Sequence, residues 1–232
     1  MGMIIALRDS NDQSHFKEIM LELFDKFGID EVLICSGYYQ EELPFIDNKT
    51  NKVLISKYKV TLDVNSAQEN LIMKLRGIPR ITTVGIKGTA GSFWDTSYRN
   101  FVSDLRSNLG PDVVNAYADK SGSWHAKEMI MLSGGHAVAG IIGSSNFTKR
   151  AYGSFPNQEF NVEADTIIYE SSADEDMAYL VSALREDGGE DSFLIVAPYD
   201  SRLNHGTEVS LLDKRYQKIM GMLDDKDKFE RF

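Results

Sequence analysis

The chain has 232 residues, of which 42% are hydrophobic and 26% charged, and its formal net charge is −10. This is the composition of an ordinary soluble globular protein, long enough for one large domain or two small ones. No stretch reaches the roughly 18 uncharged apolar residues of a spanning helix, and the N-terminus lacks a secretion signal, so we expect a cytoplasmic protein. The net charge argues against a uniformly basic surface for nucleic acid, although it leaves room for a local basic groove.

Hydrophobic periodicity predicts helices that alternate with short strands along the chain. The predicted helices span residues 13–28, 65–77, 95–110 and 172–187, and a short helix is predicted within 144–153. The predicted strands span residues 31–39, 51–60, 81–88, 113–122, 124–132, 136–143 and 157–170. The first of these strands contains the single cysteine, Cys35, in an apolar run, so we expect a small buried side chain and not a reactive thiol.

The order of these elements predicts an α/β fold, in which helices cover both faces of a mixed β-sheet. The sequence Ser-Gly-Gly at 133–135 predicts a tight turn, so the strand at 136–143 should return antiparallel to the strand at 124–132. We expect one catalytic domain over residues 1–200. Residues 201–232 then form a C-terminal extension that is either helical or the start of a further domain.

Four polar side chains should converge at the open end of this hairpin. His125 and Lys127 lie two positions apart in a predicted strand and should project from the same face, and the hairpin brings Ser144 and Asn146 alongside. A helix predicted directly after Gly143 would offer free N–H groups to an anion such as phosphate. Together these groups would stabilise the negative charge of a phosphoryl transition state. The imidazole adds a nucleophile and a general acid or base.

These residues resemble the signature of the phospholipase D superfamily, in which His-x-Lys is followed at a distance by Gly-Ser-x-Asn. His125 and Lys127 match the first half of the signature, and Gly-Ser-Ser-Asn at 143–146 matches the second. Glu159 stands where members carry a downstream Glu. The resemblance is close over residues 115–170, and it implies a phosphodiesterase whose fold is phospholipase D-like.

The resemblance also implies a homodimer, because members build one active site from two sets of His-x-Lys with Gly-Ser-x-Asn and this chain has one complete set. His15 and Lys17 also fit His-x-Lys, but the sequence has no second Gly-Ser-x-Asn to accompany them. One His125 would attack phosphorus and form a phosphohistidine, while its symmetry mate would protonate the leaving oxygen; neither a metal nor a cofactor is implied. Many members place an Asp five residues after the Lys, where this chain has Leu132. A nuclease-like branch of the superfamily shares that loss, which leaves His125 dependent on Glu159 for its orientation.

The resemblance to the superfamily leaves the class of phosphodiester open. The single-set architecture, the loss of the Asp and the basic pair Lys149 and Arg150 favour nucleic acid, because the pair would hold flanking phosphates. We therefore expect a DNA endonuclease similar to the catalytic domains of restriction endonucleases of this superfamily, with a separate DNA-recognition domain or subunit and no membrane association. The alternatives are a phospholipid or small-molecule phosphodiesterase, and a non-catalytic, phosphate-binding module of a defence system.

Overall fold

The computed structural model describes residues 1–8, 16–39, 45–47, 52–55, 60–63, 74–87, 93–147, 162–187, 193–200 and 210–232. Its strands are β1 (Gly2–Arg8), β2 (Glu31–Cys35), β3 (Phe45–Asp47), β4 (Lys52–Ile55), β5 (Val60–Asp63), β6 (Arg80–Ile86), β7 (Val114–Asp119), β8 (Glu128–Ser133), β9 (His136–Gly143), β10 (Glu163–Tyr169), β11 (Phe193–Pro198) and β12 (Phe229–Arg231). Its helices are α1 (Phe16–Lys26), α2 (Phe93–Leu109), α3 (Asp174–Asp187) and α4 (Leu211–Leu223), and a 3₁₀ turn at Ser171–Ala173 precedes α3.

Nine of these strands form one mixed sheet in the order β11-β1-β10-β9-β8-β2-β6-β7-β12. The strands β2, β6 and β7 run parallel to one another, and every other pair of neighbours is antiparallel. The strands β3, β4 and β5 form a separate antiparallel sheet. The predicted α/β class with a mixed sheet is thereby confirmed.

Helices cover both faces of the large sheet, as the alternating pattern predicts. The helices α1, α2 and α3 lie over one face, where Leu23, Phe101 and Met177 belong to a single apolar cluster. The helix α4 lies over the other face, where Leu212 and Ile219 belong to a second cluster. Within the described ranges, no helix is long and apolar enough to cross a lipid bilayer.

The hairpin between β8 and β9 has the geometry that its sequence predicts. Ser133 pairs with His136, and the two residues between them, Gly134 and Gly135, have φ angles of 59° and 82°. Two consecutive positive φ angles define a type I′ turn, which glycine adopts without steric cost and which matches the twist of paired strands. The antiparallel pairing of the two strands is confirmed.

Several predicted strand boundaries are wrong. The strand predicted at 124–132 begins at Glu128, and the strand predicted at 113–122 ends at Asp119, because the chain between them bonds to the Asp119 side chain and not to a neighbouring strand. The strand predicted at 51–60 is divided between β4 and β5, which pair antiparallel. The sequence reasoning did not assign β1, β3, β11 or β12. Residues 65–73 and 148–161 lie outside the described ranges.

The C-terminal segment contributes to the same sheet. Arg215 of α4 forms a two-pronged ion pair with Glu128 at the start of β8. The Tyr216 hydroxyl donates to the Glu31 carboxylate at 2.6 Å, and burial together with this carboxylate raises the Tyr216 pKa, so the hydroxyl remains a donor. The strand β12 then pairs with β7 and forms the edge of the sheet. The helix and the last strand are thus fastened to the strands that lead to the site described below.

The buried thiol of Cys35 provides a test of this packing. The side chain is 3% exposed, and burial, together with the nearby Glu128 carboxylate, raises its pKa well above the ordinary value, against the opposing effect of Arg215. Because only the thiolate reacts, we expect a thiol reagent to label the native chain on the order of 10³-fold more slowly than the chain in guanidinium chloride. Rapid stoichiometric labelling of the native chain would contradict this packing.

Candidate active site

The candidate residues lie at one end of the central strands, where the parallel strands finish and the antiparallel hairpin opens. Ser36 and Gly37 follow the carboxyl end of β2, and Asp119 forms the carboxyl end of β7. His125 and Lys127 immediately precede β8, and Asn146 follows the end of β9. Ligands of open α/β sheets bind beyond the carboxyl ends of the strands, so this end is the expected place for a site.

His125 and Lys127 are brought together by a loop and not by strand alternation. Residues 123–127 are irregular, and within them the His125 side chain is exposed and Lys127 is half-buried. The Lys127 ammonium donates to the His125 carbonyl at 3.1 Å, and the Gly143 N–H donates to the Lys127 carbonyl at 3.1 Å. The second bond extends the hairpin by one step and holds Lys127 beside the Gly-Ser-Ser-Asn turn at 143–146.

The side chains of Lys127 and Asn146 converge above Gly37. A methyl group added to Gly37 would lie 3.5 Å from Asn146 Oδ1, 3.6 Å from the Trp124 carbonyl oxygen and 3.8 Å from Lys127 Nζ. These are ordinary van der Waals distances, so the three atoms surround a space that is about one carbon atom wide. Within the described residues, no carboxylate forms an ion pair with Lys127. The predicted proximity of Lys127 to Asn146 therefore agrees with the geometry.

Ser36 holds the turn that carries Asn146. Its hydroxyl oxygen accepts the Phe147 N–H at 2.9 Å, although the two residues are 111 positions apart. The single hydroxyl hydrogen has two acceptors, the Tyr38 carbonyl at 2.7 Å and Asn146 Oδ1 at 3.3 Å. Because the Oδ1 atom of Asn146 lies on the Ser36 side, the amide nitrogen is the atom of this side chain that can donate to a ligand.

The sequence reasoning missed Ser36 and Gly37. One signal in the sequence would have found them, because both residues directly follow a predicted buried strand, at the end where sites of α/β sheets are built. The predicted run through residue 39 concealed that end. Both residues are buried in the structure, in contrast to the exposed His125.

The Ser144 side chain bonds to the first residues of β10. Its hydroxyl donates to the Glu163 carboxylate and accepts the Ala164 N–H at 2.9 Å, so it binds the start of β10. The neighbouring Ser145 is buried, and both its N–H and its hydroxyl donate to the Asp165 carboxylate. The structure thus assigns the two serines to holding the turn against β10.

The helix predicted directly after Gly143 does not begin there. Residues 144–147 are irregular, and Phe147 forms an isolated parallel bridge with Tyr39. A close backbone approach makes the glycine necessary, because a methyl group at position 143 would lie 2.0 Å from Asp165 Oδ1. The prediction of an anion-binding helix N-terminus directly after Gly143 is therefore wrong for residues 144–147.

The other predicted site residues are Glu159, Lys149 and Arg150, and Leu132 occupies the position where many superfamily members have an Asp. Glu159, Lys149 and Arg150 lie outside the described residues. Leu132 is 1% exposed and belongs to the apolar cluster beneath α4, at the end of β8 remote from Lys127. Among the described residues, no group of three His, Cys, Asp or Glu side chains is placed to hold a metal ion.

Comparisons with known proteins give only distant likenesses. No family model matches the sequence, and no curated protein matches it. A polyphosphate kinase from Porphyromonas gingivalis superposes with a TM-score of 0.39 and 11% identity, over 80% of this chain and 26% of that one. A phosphatidylserine synthase from Haemophilus influenzae superposes with a TM-score of 0.41 and 13% identity, over 97% of this chain and 47% of that one.

A mutant of the yeast tyrosyl-DNA phosphodiesterase superposes with a TM-score of 0.36 and 14% identity, over 80% of this chain and 37% of that one. The chain therefore spans between about a quarter and a half of the length of the solved structures it is similar to. At these scores and identities, none of the three likenesses establishes a shared fold or activity. The functional interpretation rests on the residues of the site itself.

The space above Gly37 yields a prediction that separates binding from stability. We expect Gly37→Ala to fold normally, because its methyl group meets no atom closer than 3.5 Å, and to weaken binding of inorganic phosphate. The loss should be about tenfold, as for one hydrogen bond to a charged group, because the methyl group occupies the space between Lys127 and Asn146. Isothermal titration calorimetry measures the affinity, and thermal unfolding measures stability.

Gly28→Ala is the matched control, since no described atom lies within 4 Å of a methyl group at that position. It should leave both the phosphate affinity and the unfolding temperature unchanged. If folded Gly37→Ala binds phosphate as tightly as the unaltered protein, the space above Gly37 is not part of an anion site.

Proposed function

We propose that the chain is a phosphodiesterase of the phospholipase D type that acts on nucleic acid through His125. The observation that carries the proposal is the convergence of the Lys127 ammonium and the Asn146 side chain above Gly37, next to the His125 segment. The Lys127 ammonium and the amide nitrogen of Asn146 can each donate to an oxygen of a phosphoryl group. The exposed imidazole provides the nucleophile that those two groups lack.

The proposed reaction proceeds in two balanced steps. An imidazole nitrogen of His125 attacks phosphorus, the bond from phosphorus to the leaving oxygen breaks, and a second, protonated imidazole gives its proton to that oxygen. The second imidazole then takes a proton from water, the resulting hydroxide attacks phosphorus, and the bond between phosphorus and nitrogen breaks. Lys127 and Asn146 stabilise the charge on the non-bridging oxygens in both steps.

The second imidazole would come from another copy of the chain. The sequence contains one Gly-Ser-x-Asn and therefore one complete set of the signature, although His15 and Lys17 also fit His-x-Lys, and the mechanism needs two histidines. In a two-fold dimer the same surface of each subunit meets its mate, so two copies of His125 would face one phosphate. The exposure of the His125 side chain supports the proposal, because the imidazole is open both to a substrate and to a partner subunit.

DNA is the substrate that we propose, and cleavage would be endonucleolytic. The net charge of −10 indicates that this chain by itself has limited attraction for a polyanion. The basic pair Lys149 and Arg150, directly downstream of the Gly-Ser-Ser-Asn turn, would hold the phosphates that flank the cleaved bond. A separate DNA-recognition domain or subunit, as in restriction systems, would supply the remaining affinity.

The central test is cleavage of plasmid DNA and of a chromogenic phosphodiester in excess EDTA. We expect both to be cleaved, and we expect His125→Ala to lower kcat/KM for both by at least about 10³-fold, because nucleophile and general acid are lost together. A quenched reaction should contain an acid-labile phosphoenzyme that is absent from the variant.

His136→Ala is the control, since His136 is an exposed histidine in the β8–β9 turn at the opposite end of the hairpin. It should leave cleavage unchanged. Tight DNA binding without products would overturn the catalytic proposal and favour a non-catalytic binding module. Cleavage of phospholipids or of the chromogenic diester, with DNA left intact, would overturn the choice of substrate.

The shared site predicts how mixed dimers behave. When equal amounts of unaltered chain and His125→Ala are unfolded together and refolded, random pairing should leave about one quarter of the dimers with both imidazoles. Activity should then fall to about that fraction of an all-unaltered sample, instead of the half expected for independent monomers. Sedimentation velocity of the unaltered protein checks the mass, and an active monomer would contradict the shared site.

A further inference from the structure

The carboxylate of Asp119 organises the loop that leads to His125. Asp119 is 4% exposed and forms the last residue of β7. Its Oδ2 atom accepts the N–H groups of Ser123 at 2.8 Å and Trp124 at 2.9 Å, and its Oδ1 atom accepts the Ser121 N–H at 3.1 Å. The Ser121 hydroxyl lies 2.8 Å from both carboxylate oxygens. Trp124, the last residue held, is the immediate neighbour of His125.

The backbone of Asp119 is itself rigidly held. Its carbonyl accepts the Lys87 N–H at 2.8 Å, and the residue pairs with Ile86 of β6 and Phe229 of β12. The carboxylate therefore extends from a strand with a neighbour on each side. Its hydrogen bonds to the loop fix an irregular segment, which has no strand partner, relative to the sheet.

The far end of the loop is held by packing. The Trp124 ring meets the Phe229 ring of β12 edge to face, with centroids 5.6 Å apart and an interplanar angle of 83°. Gly122, within the loop, has a φ of +69°, which lets the chain reverse beneath the carboxylate. The residues before His125 thus have one defined path, which begins at Asp119 and ends at a buried indole.

Lys127 and Asn146 are held by different contacts. The Lys127 carbonyl binds the Gly143 N–H, and the Asn146 turn binds Ser36 and Asp165. None of these bonds involves Asp119. One contact joins the two halves of the candidate site, the bond from the Lys127 ammonium to the His125 carbonyl, and the other supports of the two halves are separate.

We propose that Asp119 is the positioning residue for His125, which sets the imidazole in line with a phosphorus atom bound at Lys127 and Asn146. This inference rests on the proposed function. A charged acceptor with several N–H donors fixes a loop more firmly than a neutral one, and small displacements of a reacting group lower the rate steeply. Asp119 touches no reacting atom, so it acts on the chemical step through the loop alone.

The experiment compares Asp119→Asn and Asp119→Ala with the unaltered chain, using the chromogenic phosphodiester. We expect kcat to fall by about 10-fold in the Asn variant and about 100-fold in the Ala variant, because Asn keeps one acceptor oxygen and Ala keeps none. KM and the dissociation constant of inorganic phosphate should stay within about twofold, since most supports of Lys127 and Asn146 do not involve Asp119. An equal loss of phosphate affinity and kcat, or an unchanged kcat, would overturn the proposal.

Glu31→Gln is the matched control for lost stability. Glu31 is a buried carboxylate at the opposite end of the parallel strands, where it binds Tyr216 and Arg80. We expect the change to lower the unfolding temperature and to leave kcat unchanged. If Glu31→Gln lowers kcat as much as Asp119→Asn does, the effect of Asp119 is general destabilisation and the positioning role is wrong.

Amide hydrogen exchange tests the loop without reference to activity. In the unaltered chain the amides of Ser123 and Trp124 should be protected, and Asp119→Asn should release both while leaving the amide of Phe147 protected. If the chain cleaves no phosphodiester, the proposed function fails, and this measurement still decides whether Asp119 holds the loop.

Should both Asp119 variants fail to fold, Ser121→Ala removes one donor at an exposed position. It is expected to lower kcat several-fold at constant KM. An unchanged kcat in Ser121→Ala would overturn the proposal in that case.

Discussion

Buried oxygen atoms at one edge of the sheet hold the turns on which the candidate site is built. Ser36 follows the end of β2, Asp119 ends β7 and Asp165 lies near the start of β10, and each accepts N–H groups from an irregular segment. A buried N–H group without an acceptor costs free energy, so an irregular chain can pack at this edge only where such acceptors are available. The positions of His125 and Asn146 follow from these bonds.

The mixed direction of the sheet explains why these turns meet. The strands β2, β6 and β7 are parallel, so their carboxyl ends lie at the same edge. The β8–β9 hairpin is antiparallel to β2, so its open end, with Lys127 and Gly143, reaches that edge as well. A fully antiparallel meander would distribute these strand ends over both edges. The combination of parallel and antiparallel neighbours brings ends of the five strands β2, β6, β7, β8 and β9 to the same side of the sheet.

The start of β8 separates two opposite charges that are adjacent in the sequence. Lys127 approaches Gly37, whereas the next residue, Glu128, forms its ion pair with Arg215 on the α4 side of the sheet. This ion pair raises the Arg215 pKa, chiefly through the hydrogen bonds to Glu128. A carboxylate that immediately follows Lys127 is therefore neutralised elsewhere. Although the net charge of the chain is −10, the pairing of Glu128 with Arg215 keeps this carboxylate from pairing with Lys127 near Gly37.

Local patterns in the sequence determined the α/β class, the helices α2 and α3, the β8–β9 hairpin and the proximity of Lys127 to Asn146. Periodicity and turn chemistry act over a few residues, and these features depend on little else. Only the tertiary structure decided that residues 123–127 form a loop, that Ser144 binds β10, and that Ser36, Gly37, Asp119 and Asp165 build the site. The Ser36 hydroxyl meets the N–H group of a residue 111 positions away, and no local pattern encodes such a bond. Side-chain acceptors for irregular N–H groups are selected by the three-dimensional path of the chain, which is why the sequence indicated the candidate residues and only the fold showed what supports them.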